Sequence, residues 1–115
     1  MVNHRLERTS EDAKREISLI ISQLKDPRIP KVSSVTNVHI TPDLKFAKVF
    51  VSFFGDEEII NNAIKALNSA KGFIRRELAH RIEIRSTPEL TFVFDDSIEH
   101  GAHISKLLKE IKDKK

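Results

Sequence analysis

The chain has 115 residues and a formal net charge of +3, and it contains no cysteine, tryptophan or tyrosine. A chain of this length is typical of one domain, and the lack of cysteine excludes disulfides and thiolate metal sites. No apolar run reaches the roughly 20 residues that cross a bilayer, and residues 1–12 lack the apolar segment of a signal peptide. We therefore expect a single soluble, cytoplasmic domain that uses no cofactor.

The first predicted element is a long helix over about residues 4–25. Its apolar residues recur at helical spacing and comprise Leu6, Ala13, Ile17, Ile20, Ile21 and Leu24. Asp26-Pro27 ends the helix, because the residue before a proline is disfavoured in the helical region. A short loop from Arg28 to Lys31 follows.

Two strands joined by a tight turn at residues 41–44 come next. Residues 32–40 predict a half-buried strand, whose alternation places on one face Thr36, Val38 and Ile40. Residues 46–54 are apolar on both faces, which predicts a strand more deeply buried than its partner.

The middle of the chain predicts two helices separated by a kink. Apolar residues recur at helical spacing from Ile59 to Leu67, and the pattern breaks at Ala70-Lys71-Gly72 before resuming at Ile74. A glycine inside a helix costs about 1 kcal/mol relative to alanine, so we interpret the break as a bend. We expect Gly72 to serve close packing at that bend rather than ligand contact.

The last part of the chain predicts a third strand and a final helix. Residues 82–94 alternate in polarity, with a break at Ser86-Thr87-Pro88. Ser97 is placed to cap a helix over about residues 97–112, which ends in a lysine-rich tail.

This order of elements predicts an α+β fold in which helices cover one face of a three-stranded sheet. The single domain spans residues 1–115, with a core over about 4–96. Two alternatives remain for the buried face of the second strand, either Val49 and Val51 or Phe46 and Phe50. We expect that face to pack on Ile17, Ile59, Ala63 and Leu67, together with Leu90, Phe92 and Phe94 of the third strand.

Charge is unevenly distributed along the chain. Residues 71–85 hold five Lys or Arg against two Glu, a local charge of +3, whereas residues 86–104 hold four acids and no Lys or Arg, a local charge of −4. This separation indicates one surface that attracts polyanions and another that repels them. A well-solvated charged surface with no partner is the alternative.

Several segments together resemble the ribosome-binding factor A family of bacterial small-subunit maturation factors. The first half contributes Asp26-Pro27-Arg28, Thr41-Pro42-Asp43-Leu44 and the run from Ala47 to Ser52. The second half contributes Ala70-Lys71-Gly72, Ile74 to Ala79, Ile84-Arg85, Pro88 to Phe92, and the segment from Asp95 to Gly101. The resemblance covers roughly residues 4–111.

The resemblance implies a type II KH-like domain that binds the free 30S ribosomal subunit. It implies a role in ribosome biogenesis, with 16S rRNA as the RNA partner and assistance to late rRNA processing and maturation, near the 5′-terminal helix. Ordinary KH modules clamp RNA with a Gly-x-x-Gly loop, but no two glycines here are three residues apart. The family has an Ala-x-Gly kink instead, and Ala70-Lys71-Gly72 supplies it.

The residues around that kink are also the ones best suited to hold RNA. A helix N-terminus at Gly72 favours a phosphate, and arginine can fork onto phosphate oxygens. The predicted RNA-binding residues are Lys71, Gly72, Arg75, Arg76, Arg81 and Arg85, extended by Arg5, Arg8, Arg28 and Lys31. An alternative structural role for Arg81 or Arg85 is pairing with Glu83, Glu89 or Asp95.

Other chemistries are less well supported. The seven Phe residues could stack on bases, but most lie at alternating strand positions, so we expect core packing, least clearly for Phe54. His100 and His103, with Asp95, Asp96 and Glu99, could hold a metal, but no general base lies between the histidines. We expect solvated histidines, no metal, no small-molecule substrate and no enzymatic activity.

The sequence therefore predicts a monomeric, non-enzymatic ribosome assembly factor. A KH-like RNA-binding module with a different RNA target is the main alternative. A metalloenzyme that uses the two histidines and a protein-binding adaptor that uses the sheet edge are the others.

Overall fold

A computed structural model describes residues 4–84 and 86–97 of the chain. The elements are α1 (His4–Ser22), β1 (Ser34–Ile40), β2 (Phe46–Ser52), α2 (Glu57–Ser69), α3 (Lys71–Arg81) and β3 (Glu89–Phe94). The predicted order of helices and strands is therefore confirmed, including the break between α2 and α3. The helix predicted over residues 97–112 and the lysine-rich tail fall beyond Ser97, outside the described residues. None of the described helices is long and apolar enough to span a membrane.

The sheet has the order β1-β2-β3, with β2 in the centre. β1 and β2 pair antiparallel through the short turn, whereas β2 and β3 pair parallel in register from Phe46 with Glu89 to Val51 with Phe94. Parallel strands need a long crossover connection. That connection is the kinked helix pair α2–α3, so the kink is attached to the β3 edge of the sheet.

The three helices cover one face of this sheet and bury a single apolar core. α1 contributes Ala13, Ile17, Ile20 and Ile21, and the kinked pair contributes Ala63, Ala66, Leu67, Ile74 and Leu78. The strands contribute chiefly Val49 and Val51 with Leu90 and Phe92, which selects the first of the two predicted faces for β2. Phe94 is only partly buried and meets Phe53 edge-to-face, with ring centroids 5.2 Å apart.

The other face of β2 is open, and β2 is not more deeply buried than β1, contrary to the prediction, since each strand has three buried residues. Phe46 is 56% exposed, and Phe50 is half-buried on the same face. No described helix packs there, because all three lie on the opposite face. Ile59, predicted to be in the core, is also 44% exposed at the start of α2.

A β-bulge changes the predicted alternation of β1. The pairing with β2 shifts between Val35 and Asn37, so that Thr36 is the extra residue. Val35 therefore joins Val38 in the core, while Thr36 is only half-buried and donates a 2.5 Å hydrogen bond to the Asp95 carboxylate. A bulge moves the side chains beyond it to the other face, which simple alternation could not anticipate.

The third strand is shorter than predicted, because residues 82–84 are not part of it. Ile82 and Ile84 instead line a groove whose other side includes Thr9 and Asp12 of α1. Sheet pairing begins only where the Glu89 N–H donates to the Lys45 carbonyl, 2.9 Å away. Pro88 immediately before it has no N–H to contribute to a ladder.

The kinked pair is fastened to β3 by the side chain of Asn68. Its amide oxygen accepts from the Phe92 N–H at 2.9 Å, and its amide nitrogen donates to the Phe92 carbonyl at 3.0 Å. These backbone groups point away from β2 along the free edge of the sheet, where no further described strand pairs with them. Asn68 thus satisfies one peptide of the edge strand and fixes the end of α2 beside it.

We expect Asn68→Ala to lower the free energy of unfolding by about 1–3 kcal/mol, because two part-buried backbone groups lose their partner. Asn62→Ala is the matched control, since Asn62 is exposed on the same helix and carries the same change in helix propensity. Urea denaturation of both variants measures the difference. Equal midpoints would show that the Asn68 clamp contributes nothing to stability.

Candidate nucleic-acid interface

The site is built around the break between α2 and α3. Ala70 leaves helical geometry with φ −91° and ψ 2°, while its N–H still bonds to the Ala66 and Leu67 carbonyls at 3.1 Å. Its own carbonyl accepts from the Ile74 N–H at 3.0 Å, so α3 starts without an intervening loop. No side chain in the described part of the chain caps α3. The first turn of α3 therefore presents its backbone amides without a side-chain partner at its cap.

The core position of α3 determines which of its side chains reach solvent. Ile74 and Leu78 are fully buried and hold the helix against the rest of the fold. Successive residues are rotated by about 100°, so the opposite side of the helix carries exposed residues, namely Gly72, Phe73, Arg76, Ala79 and His80. The basic residues predicted for RNA binding are therefore divided among different environments.

Arg75 is exposed but held in place by the backbone. Its Nε and Nη2 both donate to the Thr87 carbonyl, at 3.1 Å and 2.9 Å. A carbonyl carries no net charge, so the positive charge of Arg75 is not neutralised, and the remaining N–H groups of its guanidinium stay available. The structure thus positions Arg75 at the start of β3 with its charge still accessible.

Arg81 is engaged within the protein. Its Nη1 lies 3.5 Å from a Glu16 carboxylate oxygen on α1, and its Nη2 donates to the Gln23 side-chain oxygen at 3.1 Å. The partner is therefore on α1 and is none of Glu83, Glu89 or Asp95, the partners predicted from the sequence. Arg85 lies outside the described residues.

Lys71 and Arg76 are the two remaining basic side chains of this region, and their charged groups are not held by the described part of the protein. Both are exposed, and neither makes an ion pair or side-chain hydrogen bond with any residue in 4–84 or 86–97. They flank Gly72, which is also exposed. We call Lys71, Gly72, Arg75 and Arg76 the kink surface.

Gly72 is not required for packing, which is contrary to the prediction. A Cβ added to it would meet nothing within 4 Å, and its backbone does not adopt a positive φ. Gly55 is the opposite case, because a Cβ there would lie 2.5 Å from Ile59 Cγ2. The open space over Gly72 is therefore a space that an external molecule can enter.

The outlying basic residues are not brought to the kink surface. Arg28 and Lys31 lie in the loop before β1, at the edge of the sheet opposite β3. Arg28 is further bound to Asp26, with Nη2 2.8 Å from Oδ2 and Nε 3.1 Å from Oδ1. Arg5 and Arg8 are exposed on the first turns of α1.

The acidic residues that begin α2 lie at the end of that helix remote from the kink surface. Asp56, Glu57 and Glu58 mark the start of α2, about 20 Å from its other end for a helix of 13 residues. Asp56 caps that helix by accepting from the Ile59 N–H at 2.9 Å. Glu89 is exposed on β3, where it pairs with Phe46 on the open face of the sheet.

The residues suggested for a metal site do not form one within the described part of the chain. No three His, Asp or Glu side chains approach each other closely enough there to hold an ion, and Glu99, His100 and His103 lie outside it. Asp95 has a structural role instead. Hydrogen bonds from the Ser97 hydroxyl, the Thr36 hydroxyl and the Ser97 N–H hold its pKa below the ordinary value of 3.8.

One known protein family matches nearly the whole chain. The family model described as ribosome-binding factor A matches residues 5–108. The chain belongs to the ribosome-binding factor A family. A member of this family from Acetivibrio thermocellus is 54% identical over 107 residues, covering 92% of this chain and 87% of the relative. Another from Clostridium novyi is 49% identical over 116 residues, covering 100% and 96%.

Solved structures of the family share the fold. The solution structure of a putative ribosome-binding factor A from Thermotoga maritima has a TM-score of 0.74 and 30% identity, covering 86% of this chain and 94% of that one. The crystal structure of ribosome-binding factor A from Thermus thermophilus has a TM-score of 0.70 and 29% identity, covering 77% and 93%. A homology model of the Thermus protein, fitted into the electron microscopy map of its complex with the 30S subunit, has a TM-score of 0.64 and 30% identity, covering 76% and 91%.

We expect Gly72→Ala to raise the free energy of unfolding by about 0.5–1 kcal/mol, because alanine is the better helix former and the new methyl group meets no atom. Gly55→Ala should lower it, because the methyl group would collide with Ile59. Thermal or urea unfolding of the two variants measures both changes. If Gly72→Ala instead lowered the free energy of unfolding, the result would support the predicted role of Gly72 in close packing.

We also expect Asp95 to make stability depend on pH. Because its folded pKa is depressed, its contribution is complete above the unfolded value of about 3.8 and is lost as the pH falls through the lower folded value. Asp95→Asn removes that titration. The stability difference between the wild type and Asp95→Asn should therefore shrink as the pH falls from neutral to below 3.8, as measured by urea denaturation. A difference independent of pH would contradict this role.

Proposed function

We propose that the protein is a non-enzymatic, monomeric assembly factor that binds the small ribosomal subunit through the kink surface and contacts its 16S rRNA there. The observation that carries the proposal is that Lys71 and Arg76 are exposed beside the open space at Gly72 and form no ion pair with any residue in 4–84 or 86–97. Membership of the ribosome-binding factor A family supports the ribosome as partner. The fitted complex of the Thermus thermophilus relative supports the 30S subunit in particular.

The chemistry of the kink surface suits a phosphate backbone. Lys71 and Arg76 bring two charges that no described acid neutralises, and Arg75 adds a third charge held in position by Thr87. Each phosphate neutralised by such a group releases condensed counterions, which makes the affinity fall steeply with salt. Arginine also supplies paired N–H donors that match phosphate oxygens.

The absence of a side chain at Gly72 gives this surface its shape. Its backbone can be approached more closely than that of any neighbouring residue of α3 because it carries no Cβ. A glycine where alanine would fit and would favour the helix is destabilising on its own account. A phosphate or sugar that contacts the backbone at this point gives the glycine a function.

Such binding can assist late maturation of 16S rRNA without breaking any bond. A protein that binds one RNA conformation better than another shifts the population towards it in proportion to the difference in affinity. We propose that the conformation favoured here lies near the 5′-terminal helix of 16S rRNA and promotes its processing. The role requires a rigid docking surface, which the attachment of α2 and α3 to β3 supplies.

We expect the double variant Lys71→Gln with Arg76→Gln to weaken binding to purified 30S subunits roughly 10- to 100-fold, because two charged contacts are lost. The slope of log affinity against log salt should fall by roughly one to two. Co-sedimentation with subunits over a series of salt concentrations measures both quantities.

The matched control is Arg28→Gln with Lys31→Gln, which removes the same charge on the other side of the sheet. It should leave binding within about twofold once the general effect of net charge is included. Equal losses in the two double variants would contradict a local site at the kink. Binding of the wild type to unrelated RNA as tightly as to subunits would favour the KH-like module with another target.

Cells that carry only the double variant Lys71→Gln with Arg76→Gln should accumulate unprocessed 5′ ends of 16S rRNA.

A further inference from the structure

Phe73 is an exposed aromatic ring on the kink side of α3. It follows Gly72 directly, and 44% of its surface is exposed. On a helix with 100° per residue, positions 73, 76 and 80 fall within about 60° of one another. Phe73, Arg76 and His80 therefore form one exposed row on the side away from Ile74 and Leu78.

The ring of Phe73 is not what anchors α3 to the hydrophobic core. α3 is anchored by Ile74 and Leu78, which are completely buried, and Phe92 and Phe53 supply the buried aromatic surface. Single exposed apolar residues are common on proteins and need no explanation by themselves. What distinguishes Phe73 is its position, because it follows the open backbone of Gly72 directly and lies about 60° around the helix from Arg76, which has no ion-pair partner among the described residues.

An aromatic side chain interleaved with cations is the arrangement that binds single-stranded nucleic acid. The cations track the phosphates, while a base stacks on the ring with little dependence on its identity. A base within a duplex cannot reach such a ring, because its faces are already covered by its neighbours. The ligand class that fits is therefore RNA with at least one unpaired, unstacked base.

We propose that Phe73 is a stacking platform for an unpaired base of RNA whose adjacent phosphates are held by Arg76 and Lys71. This proposal rests on the proposed function and specifies the RNA element that the kink surface recognises, a single-stranded segment rather than a helix. The open space over Gly72 lets the sugar-phosphate chain approach the backbone between the two cations.

The composition of the chain allows a direct optical test. It contains no tryptophan or tyrosine, so Phe73→Trp introduces the one indole fluorophore in the protein. Titration with short single-stranded oligoadenylate should quench its emission through stacking, whereas a duplex of matched length should not. Phe46→Trp is the matched control, since Phe46 is 56% exposed on the open sheet face, away from the helices. Its emission should be unchanged by either RNA.

Affinity for the oligoadenylate and for 30S subunits gives a second measurement. Phe73→Leu should weaken oligoadenylate binding roughly 5- to 150-fold, the range for loss of one base–aromatic stack, whereas Phe73→Tyr should retain it. Phe46→Leu should have no effect. Urea denaturation confirms that each variant is folded, and if Phe73→Trp is not, the Leu and Tyr pair carries the test.

The possible results separate this proposal from the proposed function. If 30S binding depends on Lys71 and Arg76 but Phe73→Leu leaves both affinities unchanged and the indole is not quenched, the stacking platform is wrong and the proposed function stands. Quenching by duplex RNA or by polyglutamate to the same extent as by oligoadenylate would also overturn it. If the wild type binds neither oligoadenylate nor subunits, the proposed function fails and the platform with it.

Discussion

The structure depends on the attachment of the kinked helix pair to the edge strand β3. Asn68 bonds both polar groups of the Phe92 peptide, and Arg75 bonds the Thr87 carbonyl just before the strand. One contact lies on each side of Ala70, so the bend is held from both helices. Because β3 pairs parallel to β2, the chain must cross over the sheet between them, and these contacts determine where that crossover turns. The exposed residues of the first turn of α3 consequently have a defined position relative to the sheet.

The basic residues of the chain have different roles despite their similar appearance in the sequence. Arg81 joins α3 to α1 through Glu16, and Arg28 pairs with Asp26 two residues before it in the same loop. Arg75 bonds a neutral carbonyl and keeps its charge accessible. Lys71 and Arg76 have no partner among the described residues and remain for an external ligand. Among the basic residues of α3, these two are therefore the ones on which the proposed attraction for polyanions chiefly rests.

Glycine positions illustrate how the same residue type serves two different purposes. At Gly55 the chain passes so close to Ile59 that a methyl group would collide with it, which is a packing constraint. At Gly72 the surroundings are empty, so the structure of the isolated chain offers no reason for glycine. The local sequence gives the same kind of signal in both places, a glycine close to the start of a helix, and only the positions of surrounding side-chain atoms distinguish the two glycines. The same limitation applies to Phe73, whose ring is exposed while Phe92 is buried.

By itself the sequence determined the order of the helices and strands, the bend at Ala70-Lys71-Gly72 and the family, because these depend on local periodicity, turn residues and the spacing of short motifs. It also determined most of the core, since the stripes through Ile17, Leu67 and Ile74 each define a helix face. Only the tertiary structure decided which face of β2 is buried, where the bulge at Thr36 reverses the alternation, and that residues 82–84 lie outside the sheet. It also decided which cations are paired. These outcomes depend on contacts between residues far apart in the chain, and such contacts leave no periodic trace in the sequence.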